Sequence, residues 1–130
     1  MPLTRLKKRA DYLRVAEART FTKTQTVIVQ CRYLVKDMDQ PVEIRAGFTA
    51  SKRVGNAVYR NRAKRRLRAW ADKNLAAKIP ASFEGSLDFV FIALTSTVDA
   101  DFLKLSSDLD FGIERCLRYV ISDKAKLTIC

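Results

Sequence analysis

The side chains that most often carry catalysis are scarce in this sequence. It contains no histidine, which excludes Ser–His and Cys–His nucleophilic sites and histidine-ligated metals. Closely spaced acidic residues can act as general acid and base or bind Mg²⁺, and the sequence offers the pairs Asp37/Asp39, Asp99/Asp101 and Asp108/Asp110. We interpret the first pair as turn chemistry, the second as a helix start and the third as a solvated helix face. Because no Gly-rich loop has the P-loop or dinucleotide pattern, the sequence predicts no catalytic residue and no metal site.

Positive charge is instead concentrated between Ser51 and Trp70. This stretch, SKRVGNAVYRNRAKRRLRAW, holds eight Lys or Arg among twenty residues and no Asp or Glu. The chain as a whole has a net charge of +11. Residues 1–78 hold 20 Lys or Arg against 6 Asp or Glu, whereas residues 79–130 hold 5 against 8. An excess confined to one part of the chain predicts a polyanionic partner, either a nucleic acid or an anionic membrane surface.

The basic stretch has the pattern of an amphipathic helix. Gly55 permits a sharp turn and Asn56 is a suitable N-cap, so we expect the helix to begin at Ala57. Helical projection places an apolar set on one side, namely Ala63, Leu67, Trp70, Ala71 and Leu75. The polar set on the other side consists of Asn61, Arg62, Arg65, Arg66 and Arg68. Lys64 lies at the border, and Arg60 projects towards the apolar side.

The crowding of like charges on this helix argues against an ordinary solvated face. Cations three or four residues apart repel by a few tenths of a kcal/mol per pair, and no carboxylate follows until Asp72. Arg predominates over Lys, which suits bidentate phosphate contacts and stacking. A nucleic acid is therefore the favoured partner, and these residues alone leave both RNA and DNA open.

Two segments of alternating hydrophobicity precede the basic stretch. Residues 26–35 and 43–51 are predicted to be strands. If these strands pair, one face is apolar and packs on a helix. The opposite face is polar and basic, and so available to a ligand; it carries Gln30, Arg32, Arg45 and Thr49.

Helices and one buried strand account for the remaining segments. Residues 8–18 predict a short helix, and the residues expected to face a core are Leu6, Leu13 and Ala16. Residues 87–94 are almost continuously apolar, as expected of a central strand covered on both faces. Apolar residues, Phe102 among them, then recur at helical spacing from Val98 to Val120 and predict a long C-terminal helix.

The order of these elements predicts an α/β or α+β sandwich of one sheet and three helices. A chain of 130 residues with 48% hydrophobic residues suits a single domain over residues 1–130. No apolar run approaches the length of a membrane-spanning helix, and we expect no secretory signal. Three widely spaced cysteines, Cys31, Cys116 and Cys130, argue against a disulfide framework or a zinc site and fit a reducing cytoplasm.

The basic stretch also resembles a known family motif. The segment from Lys52 to Arg68 is similar to the RNR motif of the bacterial ribonuclease P protein subunit. The positions in register are Lys52, Gly55, Asn56, Ala57, Val58, Arg60, Asn61, Arg62, Lys64, Arg65 and Arg68. The resemblance extends upstream to RLKKRADY at 5–12 and downstream to LDFVFIA and the last helix. It covers nearly the whole chain.

The resemblance implies a fold and an activity. The implied fold is α+β and ribosomal protein S5 domain 2-like, with three helices on one mostly antiparallel sheet and a left-handed crossover through the motif helix. The implied function is that of a ribonuclease P subunit, which assists endonucleolytic removal of the 5′ leader from precursor tRNA. The chemistry would be carried by the RNA subunit with Mg²⁺, which that RNA mainly binds.

The resemblance also implies two RNA-binding surfaces. The residues expected to bind the ribonuclease P RNA are Lys52, Arg53, Asn56, Arg60, Asn61, Arg62, Lys64, Arg65 and Arg68. The residues expected to bind the single-stranded leader are Tyr12, Gln30, Arg32, Arg45, Lys52 and Arg53. Family members often carry aromatic residues where Ala16 and Gln30 stand here, so we expect a thinner stacking platform.

Two other classes of protein share some of these features. A structural ribosomal protein that binds rRNA is also small, basic and mixed α/β, but it has no reason to carry the RNR motif. A binder of anionic membranes needs aromatic residues on the apolar side of a helix. Trp70 is the aromatic residue on that side, and we expect it to be buried in the folded core instead. We therefore expect a cytoplasmic ribonucleoprotein subunit whose partners are ribonuclease P RNA and precursor tRNA, with no membrane and no obligate protein partner.

Overall fold

The structure, a computed structural model, describes residues 3–35 and 42–129, with the side chains of residues 123–129 excluded. Within these ranges the strands are β1 (Leu3–Arg5), β2 (Thr20–Lys23), β3 (Val27–Leu34), β4 (Ile44–Ala50) and β5 (Ser86–Ala93). The helices are α1 (Arg9–Glu17), α2 (Ala57–Lys78) and α3 (Phe102–Ile129). Short 3₁₀ turns follow β4 at Lys52–Val54 and β5 at Thr95–Thr97. The turn expected around Asp37 and Asp39, and Cys130, lie outside the described residues.

The strands form one sheet in the order β1-β4-β5-β3-β2. The pairs β1/β4 and β4/β5 are parallel, whereas β5/β3 and β3/β2 are antiparallel. The α+β class is confirmed, but the expectation of a mostly antiparallel sheet is wrong because the two kinds of pairing are equal in number. The parallel neighbours β4 and β5 are joined through α2; the left-handedness of this crossover stays a prediction.

The strands predicted at 26–35 and 43–51 are present but do not pair with each other. These strands, β3 and β4, lie on either side of β5, which pairs with both. The nearly continuous apolar run of β5 explains its place, because a central strand is covered on both of its faces. Leu87, Phe89 and Phe91 are fully buried on one face, and Val90 is buried on the other.

Helices α2 and α3 contribute to the main hydrophobic core on one face of the sheet. The apolar side predicted for α2 is confirmed, since Ala63, Leu67, Trp70, Ala71 and Leu75 are all buried. Trp70 anchors α2 to α3, because its Nε1–H donates to Ser106 Oγ at 2.9 Å. Close contact between α3 and β3 requires Gly112, where a Cβ atom would lie 2.6 Å from Val29 Cγ2.

Helix α1 packs on the opposite face and forms a second, smaller core. Leu6 and Val15 are buried there with Val90 of β5. The expectation that Leu13 and Ala16 face a core is wrong, because both are exposed. The buried side of α1 is instead formed by Asp11 and Val15, so the helix is rotated about its axis relative to that assignment.

The C-terminal helix begins later than its apolar pattern suggested. Val98 is buried but precedes α3, and Phe102 is exposed rather than in the core. Asp101 precedes the first turn of α3, and its backbone oxygen accepts a hydrogen bond from the amide of Leu105. Asp108 is buried and accepts a 2.8 Å hydrogen bond from Thr26 Oγ1, so a solvated face is the wrong interpretation for this residue. Among the described residues, none of the helices combines the length and apolar character needed to cross a membrane.

Candidate nucleic-acid interface

The turn before α2 sets the direction of the basic helix. Gly55 has a φ of 138°, a conformation that side chains rarely adopt. The side chain of Asn56 accepts a 3.2 Å hydrogen bond from the amide of Tyr59 and so caps the helix. Both assignments made from the sequence are confirmed. The cap fixes the register in which the following basic residues project from α2.

One side of α2 forms a shallow depression, which we call the basic groove. It is lined by Val58, Asn61, Lys64, Arg65 and Arg68. Among the described side chains, no carboxylate lies within ion-pair distance of its three cations. Their charge is therefore uncompensated, and Arg65 and Arg68 are exposed. Such a surface attracts phosphate groups.

Arg68 is positioned by an aromatic ring at the edge of the groove. Its guanidinium carbon lies 5.8 Å from the centroid of the Phe48 ring, and that of Arg5 lies 5.2 Å from the same centroid. Arg5 is also paired with Asp72. A guanidinium held against a ring by a cation–π contact keeps its edge available for a ligand.

The other arginines of the α2 polar face are engaged differently. Arg62 lies 3.8 Å from Asp99, but both side chains are largely exposed, so the pair is screened and weak. The Nη1 of Arg66 donates to the carbonyl oxygens of Thr97 at 2.7 Å and Val98 at 3.0 Å. Arg66 belongs to the polar set predicted for α2, but its guanidinium fastens α2 to the chain that leads into α3 and is not free for a ligand. Those carbonyl partners are distant in sequence, so no local pattern indicated them.

Three further residues predicted to bind RNA, Arg60, Lys52 and Arg53, lie near the start of α2. Arg60 is half-buried, and its Nε has no hydrogen-bond partner among the described residues. Lys52 and Arg53 are exposed on the 3₁₀ turn after β4, where the backbone oxygen of Arg53 accepts from Thr95 Oγ1 at 3.4 Å. The structure thus places these residues beside the start of α2. Their role in RNA binding stays a prediction.

The face of the sheet beneath α1 carries a row of charges. Arg32, Asp88 and Arg45 are direct neighbours on β3, β5 and β4. Asp88 is fully buried and accepts from Arg45 Nε and Nη2, both at 2.7 Å, while Arg32 lies 3.8 Å away. Asp11 of α1 is a second carboxylate near Arg45, at 3.6 Å. This row ties α1 to the sheet.

The buried carboxylate changes what the two arginines can do. The hydrogen bonds from Arg45 to Asp88 raise the pKa of the guanidinium above its ordinary value, and two of its donors are committed to that bidentate pair. Arg32 makes only the longer contact and keeps 30% of its side chain exposed. Of the two, Arg32 is the better placed to reach a phosphate. Sequence reasoning missed Asp88, although a single Asp within an apolar run was a signal of a buried pair.

The side chain of Tyr12 extends from α1 over β4. Its ring covers Gly47, where a Cβ atom would lie only 2.5 Å from Tyr12 Cε1, and its hydroxyl donates to the Leu6 carbonyl at 3.3 Å. The ring is half-buried. An open depression adjoins it, lined by Lys7, Arg9, Tyr12, Leu13 and Thr49. The structure thus sets an aromatic ring beside basic residues, an arrangement suited to single-stranded nucleic acid.

The described side chains offer neither a cluster of metal ligands nor a reactive thiol. They contain no group of three or more His, Cys, Asp or Glu that could hold a metal ion. Cys31 and Cys116 are buried, and burial raises the pKa of both thiols, that of Cys116 to about 11. Both are therefore protonated and unreactive at neutral pH. The surfaces described here can bind and position a polyanion.

Comparison with known proteins gives a consistent result. A family model described as Ribonuclease P matches residues 2–117. A ribonuclease P protein component from Paramagnetospirillum magneticum is 41% identical over 113 residues, covering 87% of this chain and 82% of the relative. One from Streptomyces bikiniensis is 36% identical, covering 87% and 91%.

Solved structures show the same fold. The ribonuclease P protein from Thermotoga maritima is similar with a TM-score of 0.62 and 25% identity, covering 81% of this chain and 90% of that one. The Staphylococcus aureus ribonuclease P protein gives a TM-score of 0.63 at 24% identity, covering 85% and 92%. At this identity the second likeness concerns the fold alone.

Proposed function

Because this chain belongs to the ribonuclease P protein family, we propose that it binds the catalytic RNA of ribonuclease P and the 5′ leader of precursor tRNA. It is a ribonuclease P subunit in tRNA processing. In the proposed division of labour, the RNA subunit cleaves the phosphodiester bond and the protein positions both RNAs. The holoenzyme is then the nuclease, and this chain contributes no catalytic side chain.

The observation that carries the proposal is the basic groove on α2. Lys64, Arg65 and Arg68 present uncompensated charge within the part of the chain that the family model matches. Phosphate contacts of this kind recognise an RNA by its backbone and shape. We assign the groove, including Asn61, to the ribonuclease P RNA, together with Lys52, Arg53, Asn56, Arg60 and Arg62.

The leader is assigned to the face of the sheet beside α1. Tyr12 would stack on a base, and Gln30 and Arg32 on β3 would contact the strand as it crosses the sheet. Arg45 contributes mainly by holding Asp88 and, through Asp11, α1. Lys52 and Arg53 lie at the end of β4, between this face and α2, so they can serve both RNAs.

Mg²⁺ is assigned mainly to the RNA subunit. The described residues of this chain do not fit a protein-held ion, because Asp11 and Asp88 are each paired with arginines and no cluster of ligands exists elsewhere among them. The site for the ion is then formed by RNA phosphates. We further propose that the chain works in the cytoplasm as a single domain, without a membrane or an obligate protein partner.

Replacing Tyr12 by alanine should weaken the binding of precursor tRNA only when the leader is long enough to reach α1. A stacked base contributes ~1–3 kcal/mol, so we expect affinity to fall roughly 5- to 150-fold for a long leader and little for a leader of one nucleotide. The measurement is precursor-tRNA affinity of the reconstituted holoenzyme across a series of leader lengths.

Tyr12→Phe is the matched control for this experiment. It keeps the ring over Gly47 and removes only the hydroxyl that donates to Leu6, so leader dependence should remain. An unaltered dependence on leader length in Tyr12→Ala would rule out the leader contact assigned to Tyr12.

A further inference from the structure

An exposed aromatic side chain lies at the edge of the sheet face assigned to the leader. Phe21 belongs to the edge strand β2 and is 55% exposed. It pairs in register with Gln30 of β3, so both side chains project from the same face of the sheet. The next residue, Thr22, is buried on the other face against Cys116 of α3. The direction of Phe21 is therefore set by the strand.

Phe21 and Tyr12 lie at the two ends of one row across the sheet. Gln30 pairs with Val90, Val90 pairs with Gly47, and Gly47 lies under the Tyr12 ring. Adjacent strands are separated by about 4.8 Å, so three steps place Phe21 about 14 Å from Gly47. One base cannot contact both aromatic rings, so each ring would take a different nucleotide.

The surroundings of Phe21 suit a nucleic acid strand. Lys23 projects from the same face of β2, and Arg32 follows Gln30 on the same face of β3 with part of its side chain exposed. Between the two aromatic residues of this row, Gln30 contributes no ring of its own. More than half of the Phe21 side chain is exposed, so its ring is accessible for stacking with a base.

We propose that Phe21 is a base-stacking residue for the single-stranded 5′ leader and that it binds a nucleotide different from the one at Tyr12. This inference rests on the proposed function of the sheet face. It adds a residue to that surface, and it extends the path of the leader from α1 to the β2 edge. The stacking platform is then wider than Tyr12 alone provides.

The test compares Phe21→Ala with Phe102→Ala in the reconstituted holoenzyme. Phe102 is a matched control because it is 53% exposed but lies at the start of α3. Precursor tRNAs carry 2-aminopurine at one leader position at a time, and both affinity and fluorescence are measured. We expect Phe21→Ala to weaken long-leader binding about 5- to 150-fold and to restore fluorescence at one position, which differs from the position that responds to Tyr12→Ala. Phe102→Ala should change neither.

Two further variants separate stacking from folding. Phe21→Tyr keeps an aromatic face and should bind as the unmodified protein does, whereas Phe21→Leu keeps apolar bulk and should lose affinity. Equal binding by Phe21→Leu and the unmodified protein would overturn the assignment. If Phe21→Ala behaves as Phe102→Ala while Tyr12→Ala loses leader dependence, the inference fails and the proposed function stands. If the unmodified protein shows no leader dependence, both fail.

Discussion

Replacing Lys64 and Arg65 together by alanine should weaken assembly with ribonuclease P RNA on the order of 100-fold, since each charge-assisted contact is worth about 1.5 kcal/mol or more. The reason is that these cations line the basic groove without a carboxylate partner among the described side chains. The plot of log affinity against log salt should also become shallower by about 1.4 to 1.8, because two phosphate contacts no longer release counterions. The measurement is a salt titration of the binding constant.

The matched control is the double variant Lys73→Ala with Arg118→Ala. Both residues are exposed and lie outside the basic groove, on the later part of α2 and on α3. This variant removes the same charge, so a general electrostatic attraction would be weakened equally by both changes. Equal losses, or an unchanged salt slope in the groove variant, would contradict the assignment of the groove to RNA.

Replacing Asp88 by asparagine should cause the largest loss of stability among single changes on the sheet face beneath α1. The substitution keeps the shape but leaves Arg45 without its bidentate carboxylate in a site where the Asp88 side chain is only 1% exposed. Removing one partner of a buried pair costs about 3–5 kcal/mol, a large part of the ~5–15 kcal/mol that holds a typical domain together. The loss in the free energy of unfolding is measured by urea unfolding of the free protein.

The control for Asp88→Asn is Asp99→Asn, which removes the carboxylate of the exposed pair with Arg62. That change should cost no more than ~1 kcal/mol. A second test combines Asp88→Leu with Arg45→Met. Because this variant removes the whole buried pair, it should recover much of the stability lost in Asp88→Asn. If Asp88→Asn is as stable as Asp99→Asn, the carboxylate does not fasten the sheet face as described.

Local patterns were enough to predict several parts of the fold. The start of α2 followed from Gly55 and Asn56, and its buried side followed from periodicity that ends on Trp70. The central place of β5 followed from its apolar run. These features depend on residues close together in the chain, which is why sequence alone indicated them.

The features that sequence reasoning missed depend on long-range partners. Strands β1 and β2 have three and four residues, too short for a clear alternation, and β5 separates β3 from β4 through pairings that no local signal specifies. The role of Arg66 depends on carbonyl groups beyond β5. Phe21 became a candidate for leader binding only when its register with Gln30 was known.

The central claim is that this chain enables ribonuclease P RNA to remove the 5′ leader of precursor tRNA. The most direct measurement adds the purified protein to a bacterial ribonuclease P RNA at a Mg²⁺ concentration too low for the RNA to act alone, with a basic ribosomal protein of similar size as the control. The account predicts that this chain restores accurate 5′ maturation and that the ribosomal protein does not. Absence of cleavage with this chain, or equal cleavage with both proteins, would contradict it.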